Sequence, residues 1–380
     1  MRKINLLYVI TKLELGGAQR QLLSLVARLD RNKFNVFLIT AKEGLLMLDA
    51  LALDYLQVRP SRFLERPINP VKDILALLEI YLFIKRNNIN IVHTHSSKAG
   101  IVGRLAAALA GCKAIVHTVH GWSFYATQNS ILRSLYIVLE RSCARFSRRL
   151  IVVSSFDREE GLKRCIGRAE QYCFISYGID QAEFQTQPEV RERLRREWGL
   201  KPGQLLVGMI GCLKPQKCPE DFLRLAHRFK NVYPDVKFVL VGDGILRDRV
   251  TRLADELSLG TSLILAGWRR DIPEILSAMD VLVLTSLWEG LPIVVLEAAA
   301  SSRPALVSDT GGIRDFIVEG RTGSLFPPRV VGEACIKLEA LLKDRALRER
   351  IGAVARESLG RDHAVDEMVR NTQDLYESLV

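Results

Sequence analysis

The chain has 380 residues, with 54 Lys and Arg against 43 Asp and Glu, and 48% of it is hydrophobic. That length predicts two globular domains or one large one, and the ordinary composition excludes collagenous, low-complexity and disordered chains. The net charge of +11 is uneven: residues 1–180 hold 26 basic and 14 acidic residues, whereas residues 181–380 hold 28 and 29. A basic first half favours anionic partners, meaning nucleic acid, phosphorylated substrates or an anionic membrane surface.

The seven cysteines form no C-x-x-C pair. Neither a disulfide framework nor a zinc knuckle is expected, and a reducing cytoplasm is the expected compartment. The basic start Met1-Arg2-Lys3 followed by Ile4 to Ile10 has the outline of a signal peptide. Its apolar run is short, however, and meets Lys12 and Glu14 without a small-residue cleavage site, so it reads as a first strand. No apolar stretch reaches the length of a membrane-spanning helix, and any membrane association is expected to be peripheral.

Short β-branched runs then alternate with helical patterns, the signature of parallel sheets covered by helices on both faces. Strands are predicted at Ile4–Ile10, Val36–Thr40, Ile91–Thr94, Ala114–Thr118, Leu150–Val153 and Tyr172–Ile175, with helices such as Ala18–Leu29, Lys98–Ala110 and Leu132–Phe146 between them. The second half repeats the architecture, with strands at Leu205–Ile210, Lys237–Val241, Leu263–Leu265, Val281–Thr285 and Ala305–Val307. Its predicted helices include Pro219–Lys230, Ile245–Leu257, Ile272–Ala278 and Pro292–Ala300. The segment from Ser176 to Gly203, with a short charged helix at Glu189–Trp198, breaks the pattern and puts a domain boundary at residue 180. The expected fold is α/β, two doubly wound Rossmann-like domains, 1–180 and 181–380, facing across a cleft. A helical tail follows Pro328; its last helix, Ala364–Leu379, fits either domain and is counted with the second.

The segment Thr285 to Glu297 carries the most chemistry. It follows an apolar strand, turns through Gly290-Leu291-Pro292 and opens a helix, so Glu289 and Glu297 can face one ligand. The amides from Gly290 to Val294, Leu291 and Ile293 among them, form a helix start suited to phosphate. The competing reading is a capping Glu289 and a solvated Glu297. Gly211-Cys212-Leu213-Lys214-Pro215-Gln216-Lys217 leaves another strand end, where a lysine can meet phosphate as a point charge or simply lie exposed. In the first half, Gly16 and Gly17 open a helix after the first strand and allow close backbone approach, but they lack both the dinucleotide fingerprint and the P-loop.

Four histidines gather at two strand ends, His93 and His95 on one, His117 and His120 on the next, with His120 followed by Gly121-Trp122. Residues two apart on a strand share a face, so a metal pair, hydrogen-bonding cleft histidines and buried structural histidines are all open readings. The absence of any Asp or Glu between Glu79 and Glu140 argues against a divalent metal. Between Arg133 and Arg149 five arginines interleave with apolar residues, which reads as a basic amphipathic helix at a membrane surface or as a solvated flank. No nucleic-acid-binding signature is present.

Taken together these segments resemble GT-B glycosyltransferases of the large retaining family 4, along nearly the whole chain. The carriers are Gly16-Gly17, His93-Thr94-His95, Thr118-Val119-His120-Gly121, Gly178-Ile179-Asp180, Lys217, Val241-Gly242-Asp243-Gly244, the E-x7-E pair Glu289/Glu297, and Asp309-Thr310-Gly311-Gly312. The resemblance implies a retaining, metal-independent hexosyl transfer from a nucleotide-sugar, UDP being the expected nucleotide, to a lipid-linked or polysaccharide acceptor in envelope or exopolysaccharide synthesis. It implies catalytic roles for Glu289 and His120. Donor binding falls to Gly16, Gly17, Gly211, Lys217, Gly290, Leu291, Ile293 and Glu297. Acceptor contacts are expected from His93, His95 and Trp122, with no cofactor, no nucleic acid, and a place at the inner face of the membrane. Two positions depart from the family pattern: Cys212 stands where many members have Arg, and Tyr177 where Asn precedes Gly-Ile-Asp. A sugar-nucleotide epimerase of similar build and a non-catalytic nucleotide-binding protein are the alternatives.

Overall fold

A computed structural model describes residues 3–125, 128–185 and 187–380; Met1 and Arg2, the start of the signal-like segment, lie outside the described residues. The chain divides into two compact units, residues 1–178 with 365–380, and residues 179–364. The first is built on a seven-stranded parallel sheet: β1 (Ile4–Val9), β2 (Phe34–Ala41), β3 (Leu56–Ser61), β4 (Ile91–His95), β5 (Ala114–Val119), β6 (Arg149–Val152) and β7 (Tyr172–Phe174). Its order is β3-β2-β1-β4-β5-β6-β7, so the direction of winding reverses between β1 and β4. The second unit has six parallel strands: β8 (Leu205–Ile210), β9 (Val236–Val241), β10 (Leu263–Gly267), β11 (Val281–Leu284), β12 (Ala305–Ser308) and β13 (Ser324–Phe326). Its order, β10-β9-β8-β11-β12-β13, reverses between β8 and β11.

The central strands are apolar on both faces because helices cover both. In the first unit one face of the sheet packs Leu6, Tyr8, Ile91 and Val116 against Leu22 and Val26 of helix Gly17–Arg28. The other packs Leu7, Val9, Val92 and Ile115 against Ile80 and Ile84 of helix Pro70–Arg86 and Val102 and Ala106 of helix Ser97–Leu109. Each of these large apolar side chains adds roughly 1.5–3 kcal/mol of transfer free energy when fully buried.

Two strands escaped the sequence reading. β3 contains Pro60 and lies at the sheet edge, the one place where a missing N–H costs no ladder bond. β13 is only three residues long and also an edge. The boundary falls at 178/179 rather than 180. The last helix, Val365–Glu377, belongs to the first unit rather than the second. The reason lies in its apolar stripe: Val365, Met368, Val369, Leu375 and Tyr376 are buried in the same cluster as Leu6 and Leu22, and the Tyr376 hydroxyl lies 2.8 Å from that of Tyr8. Polar bonds fasten its outer edge, from Asp30 N–H to Gln373 Oε1 at 2.7 Å and from Lys33 Nζ to Glu377 Oε1 at 2.7 Å.

Candidate active site

In a doubly wound sheet the loops leaving two strands that wind in opposite directions part from each other and leave a crevice at the strand carboxyl ends. In the second unit that point lies between β8 and β11, and the expected donor residues sit there. The loop after β8 carries Gly211 to Lys217, and the loop after β11 carries Thr285 to Pro292. The loops are knitted together: Leu287 N–H donates to Gln216 O at 2.7 Å, and the Thr285 hydroxyl donates to Cys218 O at 2.9 Å. Gln216 Nε2 reaches both Trp288 O at 2.8 Å and Glu289 Oε2 at 3.3 Å. Lys217 Nζ forms an ion pair with Glu289 Oε1, both side chains being largely covered. The sequence reading brought Lys217 and Glu289 to one site but missed Gln216, whose position next to Lys217 in the same loop was the available signal.

Two glycines let these backbones approach. At Gly311 (φ +57°) a Cβ would stand 1.7 Å from Glu289 O, so only glycine allows this loop to pass the Glu289 peptide. Gly312 N–H then donates to Gly290 O at 2.8 Å, fixing the turn that presents Glu289. At Gly242 (φ +131°) a Cβ would meet Gly211 O at 2.0 Å, so glycine is what permits the loops after β8 and β9 to close together. Helix Ile293–Ala300 begins directly after Pro292, and Glu297 on it is 2% exposed. The solvated Glu297 of the competing reading is therefore not what the fold builds. Leu291 is buried as well, so its side chain packs and its backbone is what remains for a ligand. Cys212, standing where many family members have an arginine, packs close to Gly244: a Cβ added there would meet Cys212 Sγ at 3.1 Å. Cys218, in a left-handed backbone before helix Pro219–Lys230, is buried, and that burial with Asp221 beside it pushes the thiol up to about 12.

In the first unit the switch point lies between β1 and β4. Ser96, just beyond β4, has φ +62°, and its Oγ lies 2.8 Å from Thr11 Oγ1 beyond β1. Gly16 precedes helix Gly17–Arg28 in an extended conformation (φ −123°), so no left-handed backbone demands glycine there.

The histidines form two hydrogen-bonded lines. His93 Nδ1 meets Tyr376 OH at 2.5 Å and its Nε2 meets Thr118 Oγ1 at 2.7 Å. His95 Nδ1 lies 2.9 Å from His120 Nε2, and His120 Nδ1 lies 2.7 Å from Tyr177 OH, with the His120 ring stacked between the other two. Tyr177, the second departure from the family pattern, thus has a defined partner. Burial holds all four imidazoles neutral, His93 down to about 3 and His120 to about 4, with His95 and His117 well below 6.5.

Two expected acceptor contacts are not presented to a ligand. His93 is 1% exposed with both nitrogens committed, and Trp122 is 9% exposed, stacked on Phe124 and donating Nε1–H to Asp157 O at 2.7 Å. Both serve the core of the first unit, since an imidazole or indole inside a sheet-helix layer must spend its polar atoms there. His95 is buried too, but its Nε2 has no partner. His120 is the more open of the set, and a ligand hydroxyl reaches its nitrogens only by displacing His95 or Tyr177. Among the described residues no group of three or more His, Cys, Asp or Glu is arranged to hold a metal.

Comparison with known proteins places these features in a family. Residues 15–183 match the model of Glycosyltransferase Family 4, and residues 190–358 match that of Glycosyl transferases group 1. The chain is 37% identical over 317 residues to the Escherichia coli UDP-Gal:alpha-D-GlcNAc-diphosphoundecaprenol alpha-1,3-galactosyltransferase, covering 82% of this chain and 80% of that one. It is 26% identical to the putative glycosyltransferase EpsD of Bacillus subtilis, over 79% of this chain and 78% of the relative. In fold it matches Anabaena HepE, solved with UDP-glucose, with a TM-score of 0.87 at 20% identity, covering 99% of this chain and all of the other (100%). With two parallel-sheet Rossmann-like units of this topology, the chain belongs to the family 4 glycosyltransferases of GT-B fold.

Proposed function

We propose that the protein transfers a hexose, with retention of anomeric configuration, from a UDP-sugar to a sugar carried on a lipid diphosphate in the synthesis of an envelope or extracellular polysaccharide. The observation that carries this reading is the Lys217–Glu289 pair at the switch point of the second sheet, with the buried Glu297 one helix turn beyond. The lipid-diphosphate acceptor rests on the named specificity of the 37% identical relative.

Breaking the donor's glycosidic bond puts negative charge on the departing diphosphate and positive charge on the anomeric carbon. Lys217 supplies a cation for the first, together with Gly211 and the backbone from Gly290 through Leu291 to Ile293 at the start of the helix. Glu289 lies against the second. Lys217 and Glu289 pair with each other, and a donor diphosphate that takes over Lys217 leaves the Glu289 carboxylate to the sugar. Glu297 accepts the ribose hydroxyls. Gly16 and Gly17 are assigned to donor contact and His120 to the donor sugar. His95, whose Nε2 is unpartnered, is retained as an acceptor contact, while His93 is assigned to the structural network that holds it. A front-face route, with the leaving phosphate taking the acceptor proton, needs only these fixed charges, with no covalent intermediate on Glu289.

We further assign the first unit to acceptor binding at an anionic membrane surface. Helix Ser130–Ala144 exposes Ile131, Leu135 and Val138, with Arg141 and Arg145 beside them. Its one acidic residue, Glu140, is buried and paired with Arg104 at 2.6 Å, so it does not offset the surface charge. Helix Pro70–Arg86 exposes Val71, Ile74, Leu75, Leu78 and Leu82, an apolar stripe at helical spacing. Both helices flank helix Ser97–Leu109, which exposes Leu109. Among the described residues no helix is long and apolar enough to cross a membrane, so the contact proposed is an interfacial one.

Donor binding is tested without an acceptor. UDP is expected to raise the thermal midpoint of the wild type by mass action and to leave Glu297→Ala unmoved, while GDP, ADP and NAD give smaller shifts. Equal stabilisation of wild type and Glu297→Ala by UDP would remove Glu297 from the donor site.

A further inference from the structure

An arginine-walled cavity of about 710 Å³ lies in the second unit, within the size range of small-molecule sites. It has no part in the donor reading. Among its lining residues, Gln204 and Leu205 lead into β8, Asp280 leads into β11, and Arg303 and Pro304 lead into β12. It therefore opens at the amino ends of strands whose carboxyl ends carry Gly211, Lys217 and Glu289. Six residues of β8 at about 3.3 Å each separate the two edges by roughly 20 Å.

Three guanidinium groups are built into its floor. Arg191 donates to Asp280 Oδ1 at 2.6 Å and to Ser277 O at 2.7 Å; Arg195 donates to Asp280 Oδ2 at 3.1 Å and Ala278 O at 2.8 Å; Arg303 donates to Leu276 O at 3.1 Å. The carbonyls at the end of helix Ile272–Ala278 satisfy N–H groups but carry no formal charge, and Asp280 is the carboxylate that Arg191 and Arg195 share. Burial, and then the neighbouring Arg191, lower the Arg303 guanidinium to about 10 despite Asp280. The rim adds Arg196, Lys201 and Arg348, and among the described residues neither Arg196 nor Lys201 has an ion-pair partner. In all, seven of the lining residues are Lys or Arg and three are Asp or Glu. A concave, low-dielectric wall focuses that field inward.

We propose that this cavity is a second anion site, which takes a ligand bearing at least two phosphate groups, one against the buried arginines and one at the rim. Guanidinium groups held rigid by carbonyls match phosphate oxygens in geometry as well as charge. The ligand is either a free diphosphate compound or a phospholipid headgroup. The proposal is independent of the donor site, and its test keeps the two apart.

Titration calorimetry with inorganic pyrophosphate on the full chain carrying Lys217→Ala is expected to show one saturable site. Adding Arg196→Glu and Lys201→Glu, both on the exposed rim, is expected to weaken it by about tenfold or more, and the neutral pair Arg196→Gln and Lys201→Gln by less. An unchanged melting temperature without ligand shows that the rim variants fold. Loss of all pyrophosphate binding in Lys217→Ala alone, or residual binding indifferent to the rim charges, would overturn the proposal. Sedimentation with vesicles of phosphatidylinositol 4,5-bisphosphate in phosphatidylcholine, set against phosphatidylglycerol vesicles of equal charge, assigns the source. Extra sedimentation on the bisphosphate vesicles that pyrophosphate competes away and the rim reversal removes identifies a lipid headgroup; sedimentation indifferent to both identifies a soluble ligand.

Discussion

Glu289→Gln is expected to lower kcat by about 10²–10³-fold, the usual cost of deleting one preorganised charge at a reacting centre, without weakening UDP. The amide keeps the shape of the carboxylate and its bond to Gln216, so the loop held by Gly311 and Gly312 stays in place. What disappears is the ion pair to Lys217 and, with it, the negative charge proposed to face the anomeric carbon. Lys217, released, meets the diphosphate without first leaving a partner, so UDP binds at least as tightly as before. Parallel loss of UDP affinity and kcat would make Glu289 a structural support of the loop, and a kcat within a few-fold of wild type would remove it from the chemistry altogether.

Acid is expected to unfold the first unit well before the pH at which carboxylates lose their charge. His93, His95, His117 and His120 are held neutral, two of them down to about 3 and about 4, whereas an unfolded chain protonates each near 6.5. Below pH 6.5 the unfolded state therefore binds more protons than the native state, and stability falls as pH falls. Each histidine contributes up to about 1.4 kcal/mol per pH unit until its native pKa is reached, so the set rivals the whole stability of a domain within one or two pH units. The groups facing them do not relieve this: Tyr8 and Tyr376 are neutral phenols with strongly raised pKa values, Tyr177 is a buried partner of His120, and Arg104 adds positive charge near His117. Hydrogen exchange of the β4 and β5 amides between pH 7.5 and 5, corrected for intrinsic rates, reads the effect. His117→Gln is expected to make the dependence shallower by one proton. Protection that stays flat over that range would contradict it.

The second half of the molecule was the more legible in sequence. Its strands β8 to β12 are continuous apolar runs ending in glycine- or loop-rich turns, and both loops of the proposed donor site leave such strands directly. The geometry that pairs Lys217 with Glu289, 72 residues apart, was not legible, because it depends on the winding order that makes β8 and β11 neighbours. The first half misled in a consistent way. His93, in the middle of β4, and Trp122, in the loop after β5, lie close to the strand ends where ligand groups are sought, yet each is turned into the core by a partner far away in the chain. For His93 that partner is Tyr376, on a helix whose apolar stripe shows that it is buried but not against which unit. Edge strands β3 and β13 lacked the alternation or length that periodicity needs.

The site at the β8–β11 switch point is proposed to move a sugar from a UDP donor onto a lipid-linked acceptor. The direct measurement is transfer of label from a panel of UDP-hexoses to a synthetic sugar-diphospho-lipid, presented in phosphatidylglycerol-containing or neutral vesicles. The expected result is an α-linked product from one UDP-hexose, formed faster on the anionic vesicles at low salt than at high salt, without added metal, and lost in Glu289→Gln. Turnover that interconverts UDP-sugars without forming a glycoside, or UDP binding with no transfer to any acceptor in the panel, would contradict it.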